Sequence, residues 1–164
     1  LLDKKVIAKL YEASANGVRI DLIVRGICTL RPGIAGVSDN IAVRSIVGRF
    51  LEHHRLFYFR SGGNEKIFLS SADWMPRNLN ERVELMIPIE DKRHKARIKG
   101  ILDLYLVDAL KAHLMRADGS YYKVSNIEGP LSAQEELMEA ANTQDSREQM
   151  TVIERFKPMF KMKE

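Results

Sequence analysis

Leu2, Val6, Leu10 and Tyr11 recur at helical spacing with Ala8 and Ala15 beside them, and Asn16-Gly17 supplies a left-handed stop, so the pattern predicts a helix ending near Ala15. The stretch Val18 to Val24 is β-branched and mostly apolar, which predicts a buried strand running into Arg25-Gly26. From Cys28 to Asn40 the periodicity lapses around Pro32, Gly33 and Gly36. The Ser38-Asp39-Asn40 cluster then reads as an N-cap for a second helix carrying Ile41, Val43, Ile46 and Val47. Arg55 to Phe59 and Lys66 to Leu69 are strand-like around Ser61-Gly62-Gly63-Asn64, a hairpin with an expected loop of more than two residues. A polar loop from Ser70 to Asn80 leads to a strand over Arg82 to Ile89, closed by Pro88. A long helix is expected from Lys92 to Met115, with Ile98, Ile101, Leu102, Tyr105, Leu106 and Leu110 on one face. The core is expected to end there. Beyond Asp118-Gly119-Ser120 a polar tail follows, with one or two short helices, where Ser132 and Glu135 have capping-box spacing. Helix, turn, buried strand and hairpin together indicate an α/β fold.

The 164 residues, 45% hydrophobic and 29% charged, suit one domain with one substantial core. Charge is distributed unevenly. Residues 1–116 carry 20 basic and 13 acidic side chains, a balance of +7, whereas the remainder stands at −3. A basic front portion rich in arginine points to a polyanionic partner (phosphate chains, nucleotides, nucleic acid or acidic lipid) or simply to a solvated basic surface. The lone Cys28 excludes an intramolecular disulfide and fits a reducing cytoplasm as a small buried residue. No apolar run approaches the ~20 residues that cross a bilayer, and the N-terminus lacks a signal-peptide layout. The chain begins at Leu1 directly in a helical pattern, which suggests a piece of a longer polypeptide.

Of the four histidines, His94 lies in a charged run that reads as a solvated helix face, and His113 falls among Leu and Met at an expected helix end. His53 and His54 open the strand at Arg55. Because side chains alternate along a strand, His53 and Arg55 share one face while His54 points to the other. A guanidinium binds phosphoryl oxygens bidentately, and an imidazole beside it can accept a phosphoryl group or donate a proton to a leaving oxygen. A strand-end histidine bonded only locally is the alternative. Ser70 to Asn78, with Arg77 inside it and Arg82 and Glu84 after it, is dense in groups that orient a ligand and fix imidazole tautomers, or else a turn-rich loop. Arg25 ends a buried strand, where open α/β sheets place their crevices, though an ordinary surface arginine would also sit there. The spacing of Cys28 to the histidines makes no metal site.

Four strings, Leu22-Ile23-Val24-Arg25-Gly26-Ile27-Cys28, Gly36-Val37-Ser38-Asp39-Asn40-Ile41, Arg49-Phe50-Leu51-Glu52-His53 and Leu69 to Asn78, resemble in order the C-terminal domain of bacterial polyphosphate kinases. The resemblance spans residues 17 to about 112, and the chain after Met115 departs from it. It implies a phospholipase-D-like fold, a mixed sheet flanked by helices, over residues 1–117, with 118–164 as the tail. It also implies reversible transfer of the terminal phosphoryl group of ATP to polyphosphate through a phosphohistidine, with magnesium. The phosphorylated histidine and the magnesium ligands belong to a preceding domain in that family. On matching positions, His53 corresponds to the second histidine of the site and Arg25 to a residue touching nucleotide phosphates. Arg55 and Arg82 would offset phosphate charge, while Ser71, Asp73, Arg77 and Asn78 support them.

The implied partners are ATP or ADP, inorganic polyphosphate and the preceding domains of a homo-oligomeric full-length protein, with no nucleic acid. The implied setting is the cytoplasm or the periphery of the inner membrane. Against the wider phospholipase-D pattern, His53-x-Arg55 replaces His-x-Lys, Ser71-x-Asp73 resembles Ser-x-Asn, and Arg60 stands where an Asp is usual. The last exchange disfavours a phosphodiesterase, which stays an alternative together with a non-catalytic polyanion-binding module.

Overall fold

The computed structural model describes residues 1–124 and 129–142. Helix α1 (Lys4–Ala15) starts where the Asp3 carboxylate accepts the Val6 N–H at 2.9 Å and ends at Asn16-Gly17. It leads into strand β1 (Ile20–Ile23), which pairs in parallel with β2 (Ile41–Ile46). Strands β3 (Arg55–Ser61) and β4 (Asn64–Ser70) form the hairpin, α2 (Pro76–Glu81) follows, and β5 (Met86–Ile89) pairs with β4 at an edge that tolerates Pro88. Helix α3 (Lys92–Val107), β6 (Ala112–Met115), β7 (Tyr121–Lys123) and α4 (Ala133–Asn142) complete the described chain.

Two sheets result. The first, in the order β1-β2-β6-β7, is mixed: β1 and β2 are parallel, and the β2–β6 and β6–β7 pairings are antiparallel. Its faces are read directly from strand parity. Ile20, Leu22, Ile41, Val43 and Met115 pack with Val6, Ile7, Leu10 and Tyr11 of α1. Ile23, Ile46 and Ala112 pack with Ile101, Leu104 and Tyr105 of α3 and Ala133 and Leu137 of α4. The sheet is thus mixed and flanked by helices, as expected. The second sheet, β3-β4-β5, is antiparallel.

Four local expectations are corrected. Ile41–Ile46 is a strand and not a helix, since the β-branched run suits a buried sheet position. The supposed cap serves a turn instead. Ser38 bonds Ile34 N and Arg31 O, Asp39 accepts Gly36 N, and Asn40 donates to Ser14 O. The hairpin loop has only two residues, because Gly62 and Gly63, at φ 56° and 84°, adopt the left-handed conformation that a tight turn requires. Helix α3 stops at Val107, where buried Asp108 accepts the N–H groups of Lys111, Ala112 and Ala133 and turns the chain into β6, carrying His113 into a strand. The core continues past Met115 into α4, with Ala133 fully buried, while the exposed β7 only extends the sheet edge. Ser132 accepts the Glu135 N–H at 3.5 Å, one half of the capping box.

Smaller shifts concern the polar loop, which contains α2 begun by Pro76, and β5, which starts only at Met86. That leaves Arg82 and Glu84 in an extended segment, where both line the site described below.

Candidate functional site

Three segments converge on an open cavity of about 580 Å³: the end of β1, the start of β3, and the chain from Ser71 to Glu84. Its lining includes Arg25, His53, Arg55, Ser71, Asp73, Arg77, Asn78 and Arg82, so every candidate site residue named from the sequence faces one space, joined by Met75 and Glu84. Arg60 lies near the tip of the hairpin and is not among them. The third segment is fastened to the first core: Trp74 O accepts the N–H groups of Leu2 and Asp3, and its indole stacks on Phe57 at 4.9 Å.

Arg55 is the centre of the polar network. Its Nε and Nη2 donate to the two carboxylate oxygens of Asp73 at 3.0 and 2.8 Å, a planar fork on a planar acceptor. Its Nη1 donates to His53 O at 2.8 Å and lies 3.0 Å from His53 Nδ1. A guanidinium has no acceptor, so Nδ1 must be the acceptor in that contact, and the hydrogen of the neutral ring then sits on Nε2. Asp73 therefore acts on the imidazole through Arg55. The hydrogen bonding from Arg55 to Asp73, followed by the charges of Arg55 and Arg25, holds the Asp73 carboxyl below its usual range. Arg25 approaches the same carboxylate at 3.9 Å.

Ser71 and Asn78 have a different partner. Ser71 Oγ donates a hydrogen bond to Glu84, and the buried Asn78 donates to the other Glu84 oxygen at 2.9 Å. These bonds lower the Glu84 pKa, the Ser71 bond most. Glu84 was visible in the sequence only as a neighbour of Arg82; its signal is a carboxylate two positions from an arginine, on the same side of an extended segment. Arg77 and Arg82 make no ion pair within 4.0 Å among the described residues. Four arginines against two carboxylates leave the cavity two charges positive, which suits an anion of several charges.

β3 starts only at Arg55, so His53 and His54 precede the strand; His54 nonetheless faces away from the cavity, stacking on Tyr105 at 5.4 Å with Nδ1 3.3 Å from Glu52. Burial pushes its pKa down and Glu52 partly restores it. Among the described residues no group of three or more His, Cys, Asp or Glu side chains could hold a metal ion. Both cavity carboxylates are engaged by Arg55, Ser71 and Asn78, so they do not form a magnesium site as they stand. No helix of the described residues is long and apolar enough to cross a membrane.

Residues 1–134 match the family model described as "Polyphosphate kinase C-terminal domain 2". The chain is 56% identical over 141 residues to a polyphosphate kinase of Pseudomonas aeruginosa, covering 85% of this chain and 20% of that protein. It is 58% identical over 126 residues to a polyphosphate kinase of Bacillus anthracis, covering 77% and 18%. The crystal structure of polyphosphate kinase from Porphyromonas gingivalis superposes with a TM-score of 0.82 at 43% identity, over 87% of this chain and 22% of that one. The chain thus spans about one fifth of the length of these relatives.

Proposed function

This chain belongs to the polyphosphate kinase family, as its C-terminal domain 2, and on that premise we propose that it supplies the phosphate-binding side of a site that moves the terminal phosphoryl group of ATP to and from polyphosphate. In this reading Arg25, Arg55, Arg77 and Arg82 hold phosphoryl oxygens, and His53 donates a hydrogen bond from Nε2 to the group in transfer. The observation that carries it is the contact between Arg55 Nη1 and His53 Nδ1. An imidazole pinned at Nδ1 by a guanidinium presents a donor and no lone pair, which suits binding an oxyanion better than attacking phosphorus. Full protonation of the ring would require Arg55 to withdraw.

The histidine that carries the phosphoryl group and the magnesium ligands belong, in this proposal, to a preceding domain of the longer protein. The cytoplasm supplies both nucleotide and polymer. Isolated residues 1–164 then bind polyanions without turnover, and ATP-dependent polymer formation by them alone would contradict the division of labour. The direct test is His53→Ala in a full-length polyphosphate kinase bearing this domain. Polymer synthesis should fall at least ~100-fold, the scale of a lost transition-state donor, with unchanged unfolding temperature. Near-normal synthesis, with salt-sensitive polyphosphate binding retained, would instead favour a non-catalytic polyanion-binding module.

A further inference from the structure

The segment that delivers His53 has little burial of its own. Val47, Phe50 and Leu51 are all exposed, Leu51 by 77%, so apolar packing does not fix residues 47–52. A polar clamp from the far end of the chain does. Gln134, in the first turn of α4 and only 4% exposed, accepts the Phe50 N–H at 3.0 Å and donates to Phe50 O at 2.8 Å and to a Glu52 oxygen at 2.7 Å. Its amide thus engages both backbone groups of one residue, as a neighbouring strand would. Burial, helped by Glu52, pushes the Tyr105 hydroxyl pKa up, and the Glu52 carboxylate lies 3.3 Å from His54 Nδ1. His53 is therefore held between two anchored neighbours.

The clamp rests on a rigid base. The N-terminus of α4 is tied to the end of α3 by Asp108, which accepts Ala133 N–H at 2.8 Å, and Leu131 O accepts the N–H groups of Ala109 and Leu110. Gly48 shows how close the contact is: a Cβ there would lie 2.2 Å from Gln134 Oε1.

From this geometry we infer that Gln134 is a positioning residue for His53, making α4 part of the reactive site although it contributes nothing to the cavity wall. The inference rests on the proposed role of His53. A loop that drifts by about an ångström misplaces its imidazole, and misplacement on that scale costs roughly 100-fold in rate.

The test uses full-length polyphosphate kinase bearing this domain. Gln134→Leu, similar in volume but without hydrogen bonds, should lower kcat ~10- to 100-fold per folded molecule while KM for ATP changes less than ~3-fold. Unchanged kcat, or a loss that merely follows the folded fraction, overturns the inference. Gln134→Glu adds a readout that a purely structural role would not move, and it carries the test if the leucine variant does not fold. The titratable groups around position 134 are Glu135 and Glu136 on α4 itself, Glu52, which Gln134 contacts, and His54 on the loop, and Tyr105 and Asp108 on and after α3. Ionised, the new carboxylate faces Glu52 and loses the donor; protonated, it regains it. Activity relative to wild type should therefore rise as pH falls from about 8 to 6, and a flat ratio overturns the idea. The variant combining Gln134→Leu with His53→Ala should lose no more than His53→Ala alone, and a further loss again overturns it. Full activity of His53→Ala defeats the reading of His53 itself, whereas an inactive His53→Ala beside a fully active Gln134→Leu defeats only the positioning role.

Discussion

Asp73→Asn separates the ion pair at the centre of the site from the rest of the fold. The wild-type carboxylate accepts two hydrogen bonds from Arg55, at 2.8 and 3.0 Å, with side-chain exposures of 16% for Arg55 and 31% for Asp73. Fully exposed pairs contribute roughly 0–1 kcal/mol and hydrogen bonds to charged groups about 1.5–3. Partial exposure screens this pair, and the amide retains one acceptor, so the cost is about 1–2 kcal/mol. Four arginines facing one fewer carboxylate push in the same direction. For a chain of this size that corresponds to a fall in Tm of roughly 2–8 °C. The pH dependence has a definite sign. Arg55 depresses the folded carboxyl below its ordinary value, while the unfolded group titrates near ~3.9. The contribution is complete above the unfolded value and is lost as pH falls through the folded one. Thermal unfolding of wild type and variant should show a constant gap from about pH 5 to 8 that closes only below about pH 4. Equal Tm values at neutral pH, or a gap that widens on acidification, would refute the reasoning.

Gly48→Ala drives a methyl into Gln134 and should cost about 1–3 kcal/mol; adding Gln134→Ala should return part of that loss, which a double-mutant cycle of unfolding energies measures. Binding of fluorescent polyphosphate to the chain should weaken ~10- to 50-fold between 50 and 200 mM salt if the cavity's arginines displace counterions as cations do on single-stranded nucleic acid. Replacing Arg77 and Arg82 with Ala should then roughly halve the slope of log affinity against log salt.

What could be read from the sequence follows the range of the forces involved. The hairpin was visible because its register depends on neighbours a few residues apart, whereas its loop length turned on the φ of Gly62 and Gly63, which composition does not specify. Ile41–Ile46 misled because Ser38-Asp39-Asn40 has the residues of a helix cap and uses them for a turn. The helix expected to reach Met115 is cut at Asp108, which caps the turn at Lys111 and Ala112 and is held in place by Ala133, 25 positions away. The site residues stood out because Arg25, His53 and Arg55 lie at strand ends and the remainder fall in one short polar string. Glu84 stands in the same polar cluster but shows no role of its own in the sequence, because its meaning comes from Ser71, 13 residues earlier, and Gln134 is invisible there because its partners lie 82 and 84 residues before it.

The hydrogen-bond directions also bear on why the proposed site is divided. A good nucleophile needs an electron pair that no donor holds down, and the imidazole, hydroxyl and carboxylate acceptor atoms named in the cavity each already accept a hydrogen bond. His53 Nδ1 accepts from Arg55, Asp73 is occupied by the same guanidinium, and Glu84 accepts from Ser71 and Asn78. Ser71 gives its proton to Glu84, but a carboxylate held below its ordinary range is a poor base, and the Ser71 oxygen already accepts the Leu85 N–H at 2.9 Å. The surplus of guanidinium groups, by contrast, is without an ion-pair partner at Arg77 and Arg82 among the described residues. On the proposed reading, the same bonds that would fix this surface for phosphoryl oxygens leave it without a good attacking atom. A rise in the nucleophilicity of His53 would cost the Arg55 contact that aims it. Placing the nucleophile on another domain removes that conflict, since one face can then be built entirely from donors and the other from the acceptor that reacts.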